Sequence, residues 1–348
     1  VKLNKSLSLL DRYLAVWILL AMMAGILLGR AVPNLNKILS AVQVSNVSLP
    51  IFIGLLVMMY PVLAKVRYDE TRAIAGNKKL LALSLVLNWV VGPALMFALA
   101  WLCVPDLPEL RTGLIIVGLA RCIAMVLIWN DLACGDSELA AVLVALNSIF
   151  QVLAFGALGW LYLEALPQWL GLGDGVSVHF ETTEIVKSVL IFLGIPLVAG
   201  AVTRIFGERA KGRTWYEETF LPRISPLALA GLLFTIVFLF ALQGDEITRN
   251  PWSVVRLAVP LLAYFVVMFF FSLWAAKQAG LPYEDSATVA FTAAGNNFEL
   301  AIAVSIATFG VTSGQALAGV IGPLIEVPIL LGLVYVALYL KKTWFKEI

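Results

Sequence analysis

Ten apolar runs, each long enough to cross a bilayer as a helix, occupy most of this chain: about 13–33, 46–66, 80–104, 112–133, 138–165, 185–206, 222–243, 252–276, 286–309 and 315–340. A hydrocarbon core of about 30 Å is crossed by about 20 helical residues. The connections are short, and the longest polar ones, about 166–184 and 207–221, have no room for a separate domain. Apolar residues make up 61% of the chain and charged ones 13%, where soluble domains carry about 45–50% and about 25%. A globule of this length cannot hide so much apolar side chain, so the excess faces lipid. The reading is an all-α polytopic membrane protein, 1–348 forming one transmembrane unit. A cytosolic enzyme, a secreted disulfide scaffold and a nucleic-acid-binding domain are excluded, and the net charge of +2 implies no anionic partner.

The first run follows VKLNKSLSLLDRY and shows no small-residue cleavage site, so it reads as a retained crossing and not as a signal peptide. Lys and Arg favour the cytoplasmic side. With the N-terminus inside, 17 of the 24 sit at cytoplasmic ends, only Arg30, Lys37, Arg111, Lys187 and Arg249 at outer ends, and Arg121 and Arg256 within runs. Ten crossings then place both termini in the cytoplasm. Cys103, Cys122 and Cys134 form no CxxC pair, and the single histidine, His179, lies in a polar stretch, so neither a disulfide framework nor a His-ligated metal site is expected.

The two halves resemble each other at a shift near 175 residues. Ala24-Gly25 returns as Ala199-Gly200, SLPIFIGLLV from Ser48 returns slightly out of step as SPLALAGLLF from Ser225, and Gln151-Val152 returns as Glu326-Val327. Five crossings per half is an odd number, so the second half, about 183–342, is expected upside down relative to the first, about 10–166. Inverted repeats are the architecture of secondary transporters, which hold their cargo at the repeat interface near the midplane, on interrupted helices.

The fourth run reads GLARCIAMVLIWNDLACGD and the ninth FTAAGNNFELAIAVSIATFG; the shift sets Cys122 against Asn297 and Ala124 against Glu299. Gly295-Asn296-Asn297 is poor helix interior. The ninth run is expected to break there, since unwound backbone at this depth survives only where it lines a cavity or is buried in protein. Glu299, a carboxylate at mid-depth beside that break, is a functional candidate able to carry a proton; its plain alternative is a structural glutamate paired with Arg121 or bonded to the asparagines. Cys122, by position alone, reads as a small hydrophobe, though the Arg121 charge beside it favours the thiolate. Asn88, Asn147, Ser148 and Gln151 suit helix–helix hydrogen bonds. Glu326, between Pro323 and Pro328, is a second protonatable candidate. Pro50 and Pro226 are expected to kink the second and seventh helices.

Taken together, GLARCIAMVLIWNDLACGDSELAAVLVALNSIFQVL, FTAAGNNFELAIAVSIATFG, GQALAGVIGPLIEVPIL and NVSLPIFIGLLVMMYPVLAKVRYDE resemble the arsenical-resistance-3 family of arsenite efflux permeases, within the bile acid/arsenite/riboflavin transporter superfamily. The resemblance spans nearly the whole chain. It implies ten helices in two inverted repeats, a panel of the first, second, sixth and seventh, a core of the third, fourth, fifth, eighth, ninth and tenth, and broken fourth and ninth helices crossing at the midplane. It also implies that the LARC cysteine, Cys122, and the NNFE glutamate, Glu299, are needed for transport.

The implied cargo is arsenite, with antimonite a further candidate, and protons are the coupling ion. Trivalent arsenic is thiophilic, yet a carrier must release its load. The resemblance therefore suggests one sulfur ligand, Cys122, with oxygen or amide groups from Glu299, Asn296, Asn297, Asn147 or Ser148. Glu299 and Glu326 would manage the proton, and Arg121 and Gln151 would support the site. No cofactor is expected, because no Gly-rich phosphate motif is present. A rival reading on the same fold is a sodium-coupled organic-anion symporter, against which a thiol argues because sodium takes oxygen ligands. A membrane-embedded enzyme is a remote alternative: HExxH and paired Asp-rich motifs are absent.

Overall fold

The computed structural model describes residues 13–32, 34–40, 43–44, 47–66, 78–123, 125–172, 182–249 and 251–345. His179 and Ala124 lie outside the described residues, as do Lys2, Lys5, Arg12, Arg67, Arg72 and Lys346 of the charges used for orientation. The described chain is almost wholly helical. In order it forms α1 (Leu14–Ala31), α2 (Leu49–Ala64), α3 (Lys78–Cys103), α4 (Pro108–Leu119) and α5 (Met125–Leu132). There follow α6 (Ser137–Trp169), α7 (Thr183–Lys211), α8 (Arg213–Leu242) and α9 (Pro251–Gln278). The last three are α10 (Tyr283–Ala294), α11 (Phe298–Phe309) and α12 (Gly314–Thr343). A short helix, Leu35–Ser40, and a two-stranded ribbon, Gln43–Val44 with Val47–Ser48, join α1 to α2.

Six of these, α3, α6, α7, α8, α9 and α12, are long and apolar enough to cross a membrane uninterrupted. Their ends follow local chemistry. The Asp136 side chain accepts from Glu138 N–H at 2.8 Å and Leu139 N–H at 2.9 Å to start α6, and Ser313 accepts from Ala316 N–H at 3.2 Å to start α12. Gly212, at φ 86°, turns α7 directly into α8, a backbone state that Gly adopts without steric cost. The expected kink at Pro50 is corrected: Pro50 opens α2, where its missing N–H leaves no bond unmade. The interior proline of α2 is Pro61, whereas Pro226 does lie inside its helix.

Two packing groups stand out. The α8 helix runs along α1 and α2, and α2 packs on α7; α9 packs on α3, α10 and α12, and α12 on α4 and α11. Lipid gives helices no hydrophobic reason to associate, so close contact depends on small residues. A Cβ on Gly231 would lie 2.8 Å from Met58 N and 2.9 Å from the Gly54 carbonyl, so α2 and α8 touch backbone to backbone. Gly25 meets the Val237 carbonyl and Phe240, and Gly200 meets Leu63 and Ala64. Gly231→Val is therefore expected to cost about 1–3 kcal/mol by overpacking, read as a lower melting temperature in detergent. Gly332→Ala, where an added Cβ meets nothing, should be neutral or slightly stabilising.

At the far end of α3, Arg256 reaches across from α9 to Asp106, Nη1 donating to Oδ2 at 2.7 Å. That bond holds the Asp106 carboxyl down at about 2, well below the usual aspartate range. The pair's contribution is thus present above about pH 3.9 and is lost only as pH falls through about 2. Both bounds lie far below neutrality, so Asp106→Asn should leave any pH response near neutrality unchanged.

Candidate functional site

The chain unwinds after Leu119 and again after Ala294, and the two unwound segments meet. Arg121 and Asn296 form an antiparallel bridge. Cys122 N–H donates to the Gly295 carbonyl at 3.3 Å, and Asn297 N–H donates to the Ala120 carbonyl at 2.9 Å. Two side chains complete the set: Gln151 Oε1 accepts from Arg121 N–H at 2.8 Å, and Glu326 Oε1 accepts from Asn296 N–H at 3.1 Å. Each bond in these pairs maps onto the other by a shift of 175 residues. Non-helical backbone at membrane depth needs such partners. Here the two breaks satisfy each other.

The asparagines lock the crossing further. Asn296 Nδ2 donates to the Val117 carbonyl at 2.7 Å and to the Ala120 carbonyl at 3.3 Å, tying one break to the end of α4. Asn297 Oδ1 accepts from Leu300 N–H at 3.0 Å and caps α11. Gly295 is small because of its neighbours. A Cβ there would lie 2.9 Å from Cys122 Cβ, 3.3 Å from Cys122 Sγ and 3.4 Å from Glu326 Oε1. Cys122 and Glu326 therefore flank the same residue, both buried.

Arg121 is fully buried. Its guanidinium donates to the Gly118 carbonyl in the last turn of α4, to the Ala293 carbonyl in the last turn of α10 at 3.5 Å, and to the Tyr264 hydroxyl at 2.6 Å. Two helix C-termini, each the negative end of a dipole, supply the counter-charge. The pairing of Arg121 with Glu299 weighed from the sequence is corrected: among the described residues no ion pair joins them, because the guanidinium is already held by these carbonyls.

Glu299 lies in the first turn of α11, half-buried. It lines a cavity of about 160 Å³ between α2 and α8 on one side and α5 and α11 on the other. Met58, Lys65, Ile123, Met125 and Ser225 share its walls. The first turns of α5 and α11 border this cavity, so the positive ends of two helices favour a carboxylate or another oxyanion there. Buried polar atoms without hydrogen-bond partners gather at the crossing: Asn296 Oδ1, Asn297 Nδ2 and Gln151 Nε2. They are valences a polar ligand can take up.

Asn147 and Ser148 are placed differently. Trp89 Nε1 donates to Asn147 Oδ1 at 3.2 Å, Asn147 Nδ2 donates to Asn88 Oδ1 at 3.5 Å, and Ser148 Oγ donates to the Val144 carbonyl of its own helix at 2.8 Å. Both are buried in α6, one turn from Gln151, and neither lines the cavity. Cys103 is half-buried and Cys134 exposed. Lys65, Met58, Met125, Ser225 and Tyr264 carry no site signal in the sequence, because the apolar runs that hold them do not mark which side faces a cavity or a neighbouring helix.

Interrupted helices that cross beside a small cavity, in a bundle of apolar helices, define a multi-pass membrane transporter. Comparison with known proteins agrees. The model of the Sodium Bile acid symporter family matches residues 52–250. An arsenical-resistance protein Acr3 of Corynebacterium glutamicum is 66% identical over 339 residues, covering 97% of this chain and 91% of that protein. An uncharacterized transporter of Synechocystis is 37% identical over 99% of this chain and 92% of its own length. A second arsenical-resistance protein Acr3, from Alkaliphilus metalliredigens, is 31% identical over 99% of this chain and 96% of its own. The chain belongs to the Sodium Bile acid symporter family, in its arsenical-resistance (Acr3) branch.

Proposed function

We propose that the chain exports arsenite across the plasma membrane in exchange for protons, conferring arsenic resistance, with antimonite as a candidate second cargo. The carrying observation is one buried thiol at a helix crossing, in contact with Gly295 beside Glu326 and next to a cavity that Glu299 lines. Two relatives bear the name arsenical-resistance protein, which supports the cargo. The cavity, about 160 Å³ in volume, is small beside the pockets of about 300–1,000 Å³ that hold drug-sized ligands, and the thiol beside it favours a soft metalloid over the sodium-coupled alternative.

Arsenite near neutrality is mostly the uncharged trihydroxide, so it enters without shedding a full charge. The Cys122 sulfur displaces one hydroxide from arsenic, and the thiol proton leaves with that hydroxide as water; release is the reverse addition of water. The remaining As–OH groups bond to Glu299, Asn296 and Asn297, with Asn147 and Ser148 supporting from α6. One sulfur keeps the complex reversible, whereas three would trap the metalloid. Glu299, backed by Glu326, gives up its proton to bind cargo and regains one when empty. An inward proton adds about 2.3 kcal/mol per 100 mV of membrane potential.

The same reading takes the helices as ten crossings in two inverted repeats, 10–166 and 183–342, with α4–α5 and α10–α11 each counting as one. The 175-residue relation between the crossing bonds supports it. The mutual packing of α1, α2, α7 and α8 supports a panel that moves against the remaining core, and the Lys and Arg distribution supports cytoplasmic termini. The test is arsenite uptake into everted vesicles. Uptake should require an imposed proton gradient and ignore replacement of sodium by potassium. Sodium-dependent, gradient-independent uptake contradicts the proposal.

A further inference from the structure

The Arg121 guanidinium is held from three sides, the first being the carbonyls of Gly118 and Ala293 at the ends of α4 and α10. On the second side, Tyr264 of α9 takes Nη1 at 2.6 Å, and its own hydroxyl donates to the Ala293 carbonyl at 3.3 Å. Tyr264 is fully buried, so its phenol has no water to turn to. On the third side lies Gly92, in α3 just after a widened π turn at Leu87–Val91. A Cβ on Gly92 would fall 3.0 Å from the Tyr264 hydroxyl and 2.5 Å from Arg121 Nη1. The seat for the guanidinium exists only because residue 92 has no side chain.

Cys122 follows Arg121 directly, and its backbone N–H bond to Gly295, at 3.3 Å, is the longest of the four made by backbone N–H groups of the two breaks. The direction in which its side chain leaves the backbone is set in part by how firmly the preceding residue is held. We propose that Tyr264 is a positioning residue which, through Arg121, sets the direction of the Cys122 thiol, with Gly92 as the seat that makes this possible. Tyr264 is not among the residues that line the cavity; it acts through the guanidinium. The geometric part stands by itself, while its meaning for transport rests on the arsenite reading above.

The test uses the full chain carrying Cys103→Ser and Cys134→Ser, so that Cys122 is the one remaining thiol. Its rate of modification by a small methanethiosulfonate reagent is measured in detergent, alongside the melting temperature. Tyr264→Phe removes only the hydroxyl, and Gly92→Ala crowds the guanidinium from the opposite side. Each should change the thiol rate about tenfold, the order that loss of one charge-assisted hydrogen bond gives. Each should also raise the KM for arsenite more than it lowers kcat. A merely structural role would lower the melting temperature and leave the thiol rate of the folded fraction unchanged. An unchanged rate in whichever variant folds overturns the proposal. Because the thiol assay needs no arsenic, a changed rate in a protein that does not carry arsenite defeats the transport reading alone.

Discussion

Cys122→Ser is expected to reduce arsenite efflux to the level of cells lacking the protein, while the variant accumulates in the membrane at the normal level. The substitution exchanges sulfur for oxygen in a pocket already tight against Gly295, so packing is kept and only the soft ligand is lost. Oxygen binds trivalent arsenic no better than the water it must replace. The control lies in the other two thiols: Cys103, half-buried at the end of α3, and Cys134, exposed beyond α5. Cys103→Ser and Cys134→Ser should transport normally. The measurement is arsenite accumulation in cells expressing each variant, with membrane abundance from an immunoblot. Normal efflux by Cys122→Ser would remove sulfur from the mechanism.

Glu299→Gln is expected to abolish both transport and its response to the proton gradient. The amide keeps the size of the side chain and imitates the protonated acid, so the carrier is fixed in one of its two charge states. The first turns of α5 and α11 border the cavity and favour a negative group there, and glutamine forfeits that interaction. Glu299→Asp keeps the charge but withdraws it by one methylene, and partial transport is expected. Glu326→Gln tests the second acid separately. Its carboxylate accepts from Asn296 N–H, a bond an amide oxygen can also accept, so the crossing should survive. A pH response kept by Glu299→Gln but lost by Glu326→Gln would reassign the proton to Glu326.

Much of this architecture was readable from residues whose chemistry is at odds with their setting. Gly295-Asn296-Asn297 in an apolar run announced a break, because those residues are costly inside a helix at a depth without water. The shift of 175 residues identified the partner segment, and the crossing bonds follow it: Cys122 with Gly295, Asn297 with Ala120. Gln151 and Glu326, matched in the sequence, hold matching backbone N–H groups. Other features were hidden. A tyrosine such as Tyr264 within AYFVVMFFF looks the same whether it faces lipid or a buried guanidinium. The role of Gly92 depends on the Arg121 side chain, which comes from another helix. The partners of Arg121 are not legible in the sequence: Glu299 is one alternative it offers, whereas carbonyls at helix ends become available only once the helices have broken. Pro50 was misplaced for a simpler reason: an apolar run does not mark where its helix starts, and α2 begins only at Leu49.

In the proposed cycle arsenite and a proton compete for one site at this crossing. The most direct measurement is proton release when arsenite is added to the purified protein in weakly buffered detergent solution. The wild type is expected to release protons on binding and to bind more weakly as the pH is lowered, while Glu299→Gln releases none and shows no such dependence. Arsenite binding by the wild type without proton release, and equally tight at every pH, would contradict the account.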